Sequence, residues 1–279
     1  MEIKPLTNIG FDTIYKAFNQ AFADYEIQLN SEQLQAMLKR RGFNPDLSFA
    51  VFEGSEIVSF TFNGIGHFNG VPTAYDTGTG TLKTHRGKGL ATKIFEFAIP
   101  FLHEAGVEQY LLEVLQHNEK AVSVYRNLGF EVSREFNYFI WKNEEIKNLD
   151  SKHSVEQIDI QQFSSVSDFW DFYPSWQNSF ESIRRVGENF TTLGVFVENR
   201  LAGYCIFEPS SGDITQLAVD KPYRRRGIAS ALLHEIGRLN KNNTTKLINA
   251  DISCRSITDF LQSKNIGVTG KQFEMTRKI

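Results

Sequence analysis

The sequence predicts two α/β domains in tandem, each with a mixed β-sheet flanked by helices. The chain has 279 residues, about twice the usual length of one domain. The pattern Arg-x-x-Gly-x-Ala occurs at 86–91 and again at 224–229. Each copy follows a β-rich run and precedes an apolar helical period. The same order of elements surrounds both copies, which indicates a duplicated domain rather than a solenoid.

Composition narrows the functions that are expected. The formal net charge of −3 gives no long-range attraction to nucleic acid or to an anionic membrane. Two cysteines, Cys205 and Cys254, suggest a reducing compartment without a disulfide framework. The first residues lack a signal-peptide pattern and no apolar run is long enough for a membrane span, so a cytoplasmic location is expected. The six histidines lack ligand spacing, so no metal site is expected.

The first half is predicted to alternate strands and helices. Apolar residues at helical spacing follow Phe11, and Ser31 is the expected N-cap of a second helix that Gly42 ends. β-Branched and aromatic residues predict a hairpin before the first Arg-x-x-Gly-x-Ala turn. Asn118 and Gly129 are expected to begin and end a later helix. The predicted strands cover 1–7, 48–62 (a hairpin), 72–82, 110–115 and 130–141 (two segments), and the predicted helices cover 11–24, 31–42, 87–105 and 118–129.

A polar, charged and aperiodic segment divides the chain. It predicts an N-terminal domain over 1–143, a linker over 144–153 and a C-terminal domain over 154–279. The element order then repeats, with helices predicted over 164–173, 175–185, 226–239 and 256–262, and strands over 155–160, 191–207 (a hairpin), 213–219, 246–252 and 272–277.

The stretch from Gly78 to Ala91 predicts an anion site. A strand that stops in a glycine-bearing, basic turn at a helix start presents free backbone N–H groups and the positive end of the helix dipole. A P-loop would need glycine at position 82, where the sequence has Leu82. A dinucleotide motif starting at Gly78 would need glycine at position 83, where the sequence has Lys83. Neither motif is therefore present. The alternative is that the glycines merely start a helix, which the second copy of the pattern makes a poor explanation.

The order strand, Arg-x-x-Gly-x-Ala turn, helix, strand, Asn, helix, Tyr resembles the GNAT superfamily of acyl-CoA-dependent N-acetyltransferases, once in each half. The resemblance implies a splayed sheet whose wedge takes the pantetheine of acetyl-CoA, while the N–H groups of the turn hold its pyrophosphate. The implied cofactor-binding residues of the first half are Thr79, Thr81, Arg86, Gly87, Lys88, Gly89, Leu90, Ala91 and Asn118. Those of the second half are Leu217, Val219, Arg224, Arg225, Arg226, Gly227, Ile228 and Ala229.

The resemblance also implies direct transfer of the acetyl group to an amine, which needs a base and an acid. Tyr125 is the implied acid; the alternative is a core tyrosine. Glu113 lies in the apolar strand LLEVL, where burial should raise its pKa, and is the candidate base. Its spacing of twelve from Tyr125 is similar to that of ribosomal-protein alanine N-acetyltransferases. Glu113 could instead face outward, and His117 is a second candidate base. Asn118 is equally well explained as a plain N-cap.

Four residues, Tyr75, Asp76, Asp24 and Tyr25, lie where the family usually forms its acceptor pocket. We expect an ordinary surface role for each of them singly.

The second half keeps the turn but departs from the rest of the pattern. Phe260 falls where Tyr125 does and has no proton to give. Asp251 could be a base, although a structural role is favoured. The first half is therefore the expected catalytic one, with a small-molecule or peptide amine as acceptor, no nucleic-acid or membrane partner, and an open oligomeric state. The alternatives are catalysis by the second half with the first as support, a non-catalytic acyl-CoA-binding or sensing module, and a structural protein with two dead sites.

Overall fold

The computed structural model describes residues 1–24, 28–145, 153–163 and 166–279. The chain forms two compact units. The N-terminal unit consists of Met1–Arg134 together with Phe273–Ile279, and the C-terminal unit is Glu135–Gln272. These bounds differ from the halves expected from sequence, because the N-terminal unit takes its last strand from the other end of the chain. Residues 146–152 of the predicted linker lie outside the described residues.

The N-terminal unit is a mixed sheet with helices on both faces. Its strands follow the order β1-β2-β3-β4-β5, then β12 and the start of β6. Neighbours from β1 to β4 are antiparallel, whereas β4 and β5 are parallel. The elements are β1 Glu2–Pro5, α1 Phe11–Ala21, α2 Ser31–Arg41, β2 Phe49–Glu53, β3 Glu56–Phe68, β4 Val71–Thr81, α3 Leu90–Glu104, β5 Gln109–Leu115, α4 Glu119–Asn127, β6 Glu131–Lys142 and β12 Gly270–Lys278.

Alternation along β2 divides the core of this unit between the two faces. Phe49 and Val51 belong to a cluster with α3 and α4. Ala50 and Phe52 belong to a second cluster with α1 and α2. The predicted helices therefore cover opposite faces of one sheet.

Local capping explains where the helices begin and end. Asn30, and not Ser31 as predicted, is the N-cap of α2, because its side chain accepts from Gln33 N at 2.9 Å while Gln33 Oε1 accepts from Asn30 N. Gly42 ends α2 with φ of 79°, a conformation that glycine adopts at little cost. Asn118 caps α4 by accepting from Ala121 N.

The C-terminal segment of β12 is an integral part of the N-terminal unit. Met275 is fully buried in the cluster of α3 and α4. Arg134 and Glu274 form a buried ion pair at 2.6 Å, with the Glu274 side chain only 3% exposed. Arg277 Nη1 donates to Leu128 O at 2.6 Å. Residues near the C-terminus thus stabilise the sheet that carries β4 and β5.

The C-terminal unit repeats the mixed sheet with less helix. Its strand order is β6-β11-β10-β9-β8-β7, in which only β10 and β11 are parallel among these neighbours. The core packs α6 and α7 against the sheet. The elements are β7 Glu156–Gln157, α5 Phe180–Arg184, β8 Thr191–Val197, β9 Arg200–Glu208, β10 Asp213–Val219, α6 Ile228–Leu239, β11 Thr244–Asp251 and α7 Arg255–Gln262, with β6 and β12 as above.

One predicted helix of the C-terminal half, over 164–173, is wrong, and the helix predicted over 175–185 is present only in part. The described part of 164–173 contains a 3-10 turn over Val166–Phe169, while residues 164 and 165 lie outside the described residues. The segment 175–185 contains a 3-10 turn over Trp176–Asn178 and only the short α5. Pro174 disfavours helical backbone at the residue before it, and the aromatic side chains that suggested a helix are used in packing instead.

Candidate active site

The parallel strands of the N-terminal unit open into a wedge. β4 and β5 pair from Thr73 with Gln109 to Tyr75 with Leu111. Both strands then continue beyond that ladder, to Thr81 and Leu115. Thr77 is an extra residue on β4 opposite β3, since Phe62 pairs with Gly78 and Asn63 with Asp76. A bulge increases local twist, so the wedge opens where the chain reaches Asp76.

The C-terminal unit opens at the corresponding place. β10 and β11 pair only at Asp213 with Lys246 and Ile214 with Leu247. β10 carries its own extra residue, Thr215, between Ile214 and Gln216. Thr77 lies nine residues before Arg86, and Thr215 lies nine before Arg224, so the duplicated pattern includes the bulge.

The turn that follows each wedge has the geometry of an anion site. Gly87 and Gly89 have φ of 77° and 69°, and α3 makes its first backbone bond from Lys93 N to Gly89 O. The N–H groups of the first helical turn therefore lack intrahelical acceptors. In the other unit Arg225 and Gly227 have φ of 61° and 88°. The backbone shape is kept even where an arginine must adopt the left-handed conformation.

The arginine of each turn holds the turn to the protein. Arg86 donates from Nε to Thr81 O at 3.2 Å, from Nη1 to Asp24 Oδ2 at 3.1 Å and from Nη2 to Ala21 O at 2.8 Å. Arg224 repeats these bonds in the other unit, to Val219 O at 3.0 Å, Asp171 Oδ1 at 2.9 Å and Phe169 O at 3.0 Å. Both guanidinium groups are used in anchoring the turn, a role that sequence reasoning missed.

Tyr125 meets Asp76 on the α4 side of the sheet. The Tyr125 hydroxyl donates to Asp76 Oδ2 at 3.0 Å, and Asp76 is only 8% exposed. Burial raises the pKa of Asp76 to about 6, although hydrogen bonds from Thr79, Tyr125 and Gly78 act in the other direction. Burial and the nearby carboxylate raise the pKa of Tyr125, so this phenol keeps its proton at neutral pH.

Glu113 meets Tyr75 on the α2 side. Adjacent strand residues point to opposite faces, so Tyr75 lies across the sheet from Asp76. Its hydroxyl is hydrogen-bonded to the half-buried Glu113 carboxylate, and burial together with that charge raises the pKa of Tyr75. Arg41 of α2 lies over the Tyr75 ring at 6.0 Å and donates to Thr77 O at 3.0 Å. The two sequence-predicted reactive residues thus flank the wedge from opposite faces.

The other sequence-predicted residues of the N-terminal unit occupy the strand end and the turn. Thr79 Oγ1 donates to Asp76 Oδ2, and Thr81 Oγ1 lies 2.8 Å from Ser59 Oγ. Lys88 is exposed on the turn, whereas Leu90 is buried at the start of α3 and anchors it. Ala91 is half-buried in the first turn of the same helix.

A cavity of about 450 Å³ lies in the wedge of the C-terminal unit. Such a volume is typical of a small-molecule site. Its lining includes every sequence-predicted binding residue of this unit except Arg226, which lies over the Tyr223 ring at 5.4 Å. Asp171 and Ser256 bridge part of the cavity with a hydrogen bond of 2.6 Å. Burial acts to raise the pKa of Asp171, but its bonds to Ser256 and Arg224 bring it below the usual value.

The C-terminal unit has apolar residues in place of Asp76, Glu113 and Tyr125. Ile214 lies ten residues before Arg224, as Asp76 does before Arg86. Phe260 stands in the place of Tyr125, and Ile248 lies twelve residues before it, as Glu113 does before Tyr125. The lining of the cavity includes the neutral amide side chains of Gln216 and Asn178. The Gln216 amide donates to Asn178 O at 2.7 Å.

Several expectations about single residues are corrected. Tyr75 and Asp76 are buried, so the surface role expected for them is wrong. Its place two residues before Gly78, in a strand that is otherwise uncharged, was the available signal for Asp76. Asp24 is exposed and pairs with Arg86, and Tyr25 lies outside the described residues. Asp251 accepts from Ser253 N and Oγ, which fits a structural role.

The described residues contain neither a cluster of metal ligands nor a helix that could span a membrane. Across 1–24, 28–145, 153–163 and 166–279, no three His, Cys, Asp or Glu side chains gather as a metal site would require. No helix within the same ranges has both the length and the apolar character that a membrane crossing needs.

A curated N-acetyltransferase shares part of its sequence with this chain. N-alpha-acetyltransferase 30 of Schizosaccharomyces pombe is 33% identical over 60 residues, which is 21% of this chain and 40% of that protein. The chain thus spans less than half the length of this curated relative.

Two solved structures share the fold over almost the whole chain. A GCN5-related N-acetyltransferase from Sphaerobacter thermophilus has a TM-score of 0.74 at 13% identity, covering 99% of this chain and 95% of that one. A tandem GNAT protein from the clavulanic acid biosynthesis pathway has a TM-score of 0.75 at 13% identity, covering 99% and 98%.

The strongest assignment comes from the family comparison. The model of the acetyltransferase (GNAT) family matches residues 11–130 and again 153–244, which together exceed half of the chain. The first matched segment contains the first wedge and its turn, and the second contains β10 and the turn that follows it. The chain therefore belongs to the GNAT family of acetyltransferases.

Proposed function

We propose that this protein transfers an acetyl group from acetyl-CoA to a primary amine, and that the N-terminal unit does so. The observation that carries the proposal is the placement of Glu113 and Tyr125 on the two faces of one wedge. An acid and a base on opposite sides of a cleft can act on the two ends of one reaction without neutralising each other.

The residues of the wedge and turn fit coenzyme A. The first turn of α3 offers backbone N–H groups to a pyrophosphate, and Lys88 adds an exposed positive charge. Beyond Tyr75, β4 leaves its ladder with β5, so its backbone can pair with an extended ligand. Acetyl-CoA would supply the acetyl group, and coenzyme A would leave as the free thiol. Thr79, Thr81, Arg86, Gly87, Gly89, Leu90, Ala91 and Asn118 would shape or line this site.

Each titratable residue has a defined task in this proposal. Glu113 takes a proton from the acceptor nitrogen, directly or through a water that it orients. Tyr125 gives the proton of its hydroxyl to the departing sulfur. Tyr75 fixes the Glu113 carboxylate by their hydrogen bond.

A screen of amines with acetyl-CoA tests the activity, and the release of free thiol is the quantity measured. The acceptor panel should contain small amines, an aminoglycoside, lysine and short peptides with a free α-amino group. The peptides deserve inclusion because the curated relative is named an N-alpha-acetyltransferase. No thiol release above the rate without acceptor, across the panel, would count against the proposal.

The Tyr125→Phe variant tests the acid. We expect kcat to fall by about 10²- to 10⁴-fold with little change in KM for acetyl-CoA. Tyr173→Phe, at an exposed tyrosine, is the matched control and should leave kcat unchanged. Full turnover of Tyr125→Phe at every pH would remove Tyr125 from the reaction.

The base is tested in the same way by Glu113→Gln. We expect a fall in kcat similar to that of Tyr125→Phe. His117→Gln, at an exposed loop histidine, distinguishes the second candidate base. A larger loss in His117→Gln than in Glu113→Gln would transfer the role of base to His117.

A second function is supported by the cavity of the C-terminal unit. We propose that this unit binds an acyl-CoA without transferring its acyl group, through Leu217, Val219, Arg224, Arg225, Gly227, Ile228 and Ala229. The intact turn and the cavity of about 450 Å³ favour binding, whereas Ile248 and Phe260 cannot move protons. Calorimetry that gives two coenzyme A sites per chain would support it, and one site that Gly89→Glu abolishes would contradict it.

The cellular location is proposed on chemical grounds. Cys205 and Cys254 are free thiols. Free thiols are kept reduced in the cytoplasm, so we propose that the protein works there.

A further inference from the structure

Asp76 is a buried carboxyl group to which the proposed reaction gives no task. Oδ1 accepts from Gly78 N at 2.9 Å. Oδ2 accepts from Thr79 Oγ1 at 2.9 Å and from the Tyr125 hydroxyl at 3.0 Å. The group lies at the first residue of β4 beyond its ladder with β5, where the wedge opens.

The bond between Tyr125 and Asp76 conflicts with the acid role of Tyr125. A phenol has one proton, and a proton directed at the Asp76 carboxylate is not available to a departing sulfur. If the hydroxyl rotated away, a buried carboxylate would lose one of its three donors, which is unfavourable. A neutral Asp76 removes the conflict, because its own O–H can donate to the Tyr125 oxygen and leave the phenol proton free.

We infer that Asp76 is a positioning residue that controls the proton of Tyr125, so that Tyr125 acts as an acid only while Asp76 is protonated. The inference rests on the proposed function of the N-terminal unit. It makes Asp76 and Tyr125 one relay in which the proton moves from Asp76 Oδ2 to Tyr125 Oη as the phenol proton moves to sulfur.

The surroundings of Asp76 are suited to a carboxyl group that changes its charge. The titratable and charged groups that face it are Tyr125 from α4, Tyr110 from β5, Arg41 from α2 and Tyr75 from its own strand. Only Arg41 among these carries a charge at neutral pH, and it lies on the other side of the sheet, over Tyr75. Burial therefore prevails, and the pKa of Asp76 lies at about 6.

A comparison of the two units supports the inference that Asp76 and Tyr125 act together. It has Ile214 in place of Asp76 and Phe260 in place of Tyr125. The turn and the bulge are kept in that unit, so the two members of the relay are absent together while the binding geometry remains. A carboxyl group that only stabilised the bulge would be expected in both units.

The protons balance over one turnover. The N–C bond forms and the C–S bond breaks, while the acceptor nitrogen passes one proton to Glu113 and the sulfur receives one from Tyr125. Tyr125 regains its proton from Asp76. Glu113 then releases one proton to solvent and Asp76 takes one up, so that both residues return to their starting states.

Carbon-13 NMR of the Asp side-chain carboxyls tests the relay without turnover. Asp76→Asn assigns the signal in the protein free of acetyl-CoA. We expect a midpoint near pH 6 in the wild type. Tyr125→Phe should raise that midpoint by roughly one pH unit, because the carboxylate loses a donor. Tyr75→Phe, one residue from Asp76 but directed at Glu113, is the control and should move it much less. An unchanged midpoint in Tyr125→Phe would overturn the inference.

The pH profile of kcat is the second readout. With an acceptor from the amine screen, wild-type kcat should fall about tenfold for each pH unit above the Asp76 midpoint of the loaded enzyme. Asp76→Asn has no carboxyl proton to gain or lose, so its kcat should lack this fall. Because an amide cannot pass a proton to Tyr125, its kcat should lie below the wild-type value at pH values under the midpoint. Tyr125→Phe should lack the fall as well.

The two readouts separate the possible failures. If Asp76→Asn lowers kcat by one factor at every pH and keeps the wild-type profile, Asp76 is merely structural and the inference is wrong. If no amine releases thiol at any pH, the proposed function fails, while the NMR titration still decides whether Tyr125 controls Asp76.

Discussion

Arg86 Nη1 lies 3.1 Å from Asp24 Oδ2 and thereby fastens the turn before α3 to the segment that follows α1. Arg224 and Asp171 repeat the pair in the C-terminal unit at 2.9 Å. In both units the same guanidinium also binds the last residue of the strand before the turn. The arginine of the duplicated pattern therefore organises the turn from behind, and the backbone N–H groups remain for the ligand.

This arrangement predicts that Arg86→Gln impairs binding more than chemistry. We expect KM for acetyl-CoA to rise about tenfold with kcat within about twofold of the wild type, because the turn loses its anchors while Glu113 and Tyr125 stay in place. Arg224→Gln is the matched control and should leave both constants unchanged if the N-terminal unit is the catalytic one. A kcat loss without a KM change in Arg86→Gln would contradict the anchoring role.

Buried Asp76 predicts a pH-dependent stability. Its folded-state pKa of about 6 lies above the usual 3.8, so its contribution is fully present below about pH 4 and is lost as the pH rises through about 6. The difference corresponds to about 3 kcal/mol in the free energy of unfolding. The Asp76→Asn variant should lack this dependence. Urea unfolding at about pH 4 and pH 7 measures it, and parallel pH dependences of the wild type and the variant would contradict it.

The placement of β12 predicts that two neighbouring positions stabilise different units. Met275 is fully buried in the N-terminal unit, and Ile266 is buried in the C-terminal unit. Met275→Ala and Ile266→Ala should each cost about 2–5 kcal/mol. Hydrogen exchange should show lost protection within Met1–Arg134 for the first variant and within Glu135–Gln272 for the second. Loss confined to the C-terminal unit in both would contradict the assignment of β12.

Local patterns were sufficient to predict the turns and the main helices. The glycines at 87, 89 and 227 lie in turns before helices, as predicted, and Asn118 is an N-cap. The family resemblance added the splayed sheet. These features depend on residues close in sequence, which a pattern can reveal.

Long-range features were not predicted. The place of β12 between β5 and β6 depends on contacts between residues distant in sequence, such as the ion pair of Arg134 and Glu274, which no local pattern encodes. The role of Arg86 depends on Asp24, far from it in sequence. Asp76 was expected at the surface, but contacts with residues distant in sequence, such as Tyr125 of α4, bury it. Roles that arise from tertiary contacts needed the coordinates.

The central claim, that the N-terminal unit performs the transfer, is tested most directly by placing a negative charge in each turn separately. Gly89 and Gly227 have positive φ; a Cβ atom would meet open space at Gly89 and make an ordinary van der Waals contact with His153 at Gly227. Gly89→Asn and Gly227→Asn control for backbone strain, because asparagine tolerates this conformation. We expect Gly89→Glu to lower kcat/KM for acetyl-CoA by roughly 100-fold or more relative to Gly89→Asn, through repulsion of the pyrophosphate. Gly227→Glu should leave kcat/KM close to that of Gly227→Asn. Loss of turnover in Gly227→Glu with activity kept in Gly89→Glu would contradict the account and assign the reaction to the C-terminal unit.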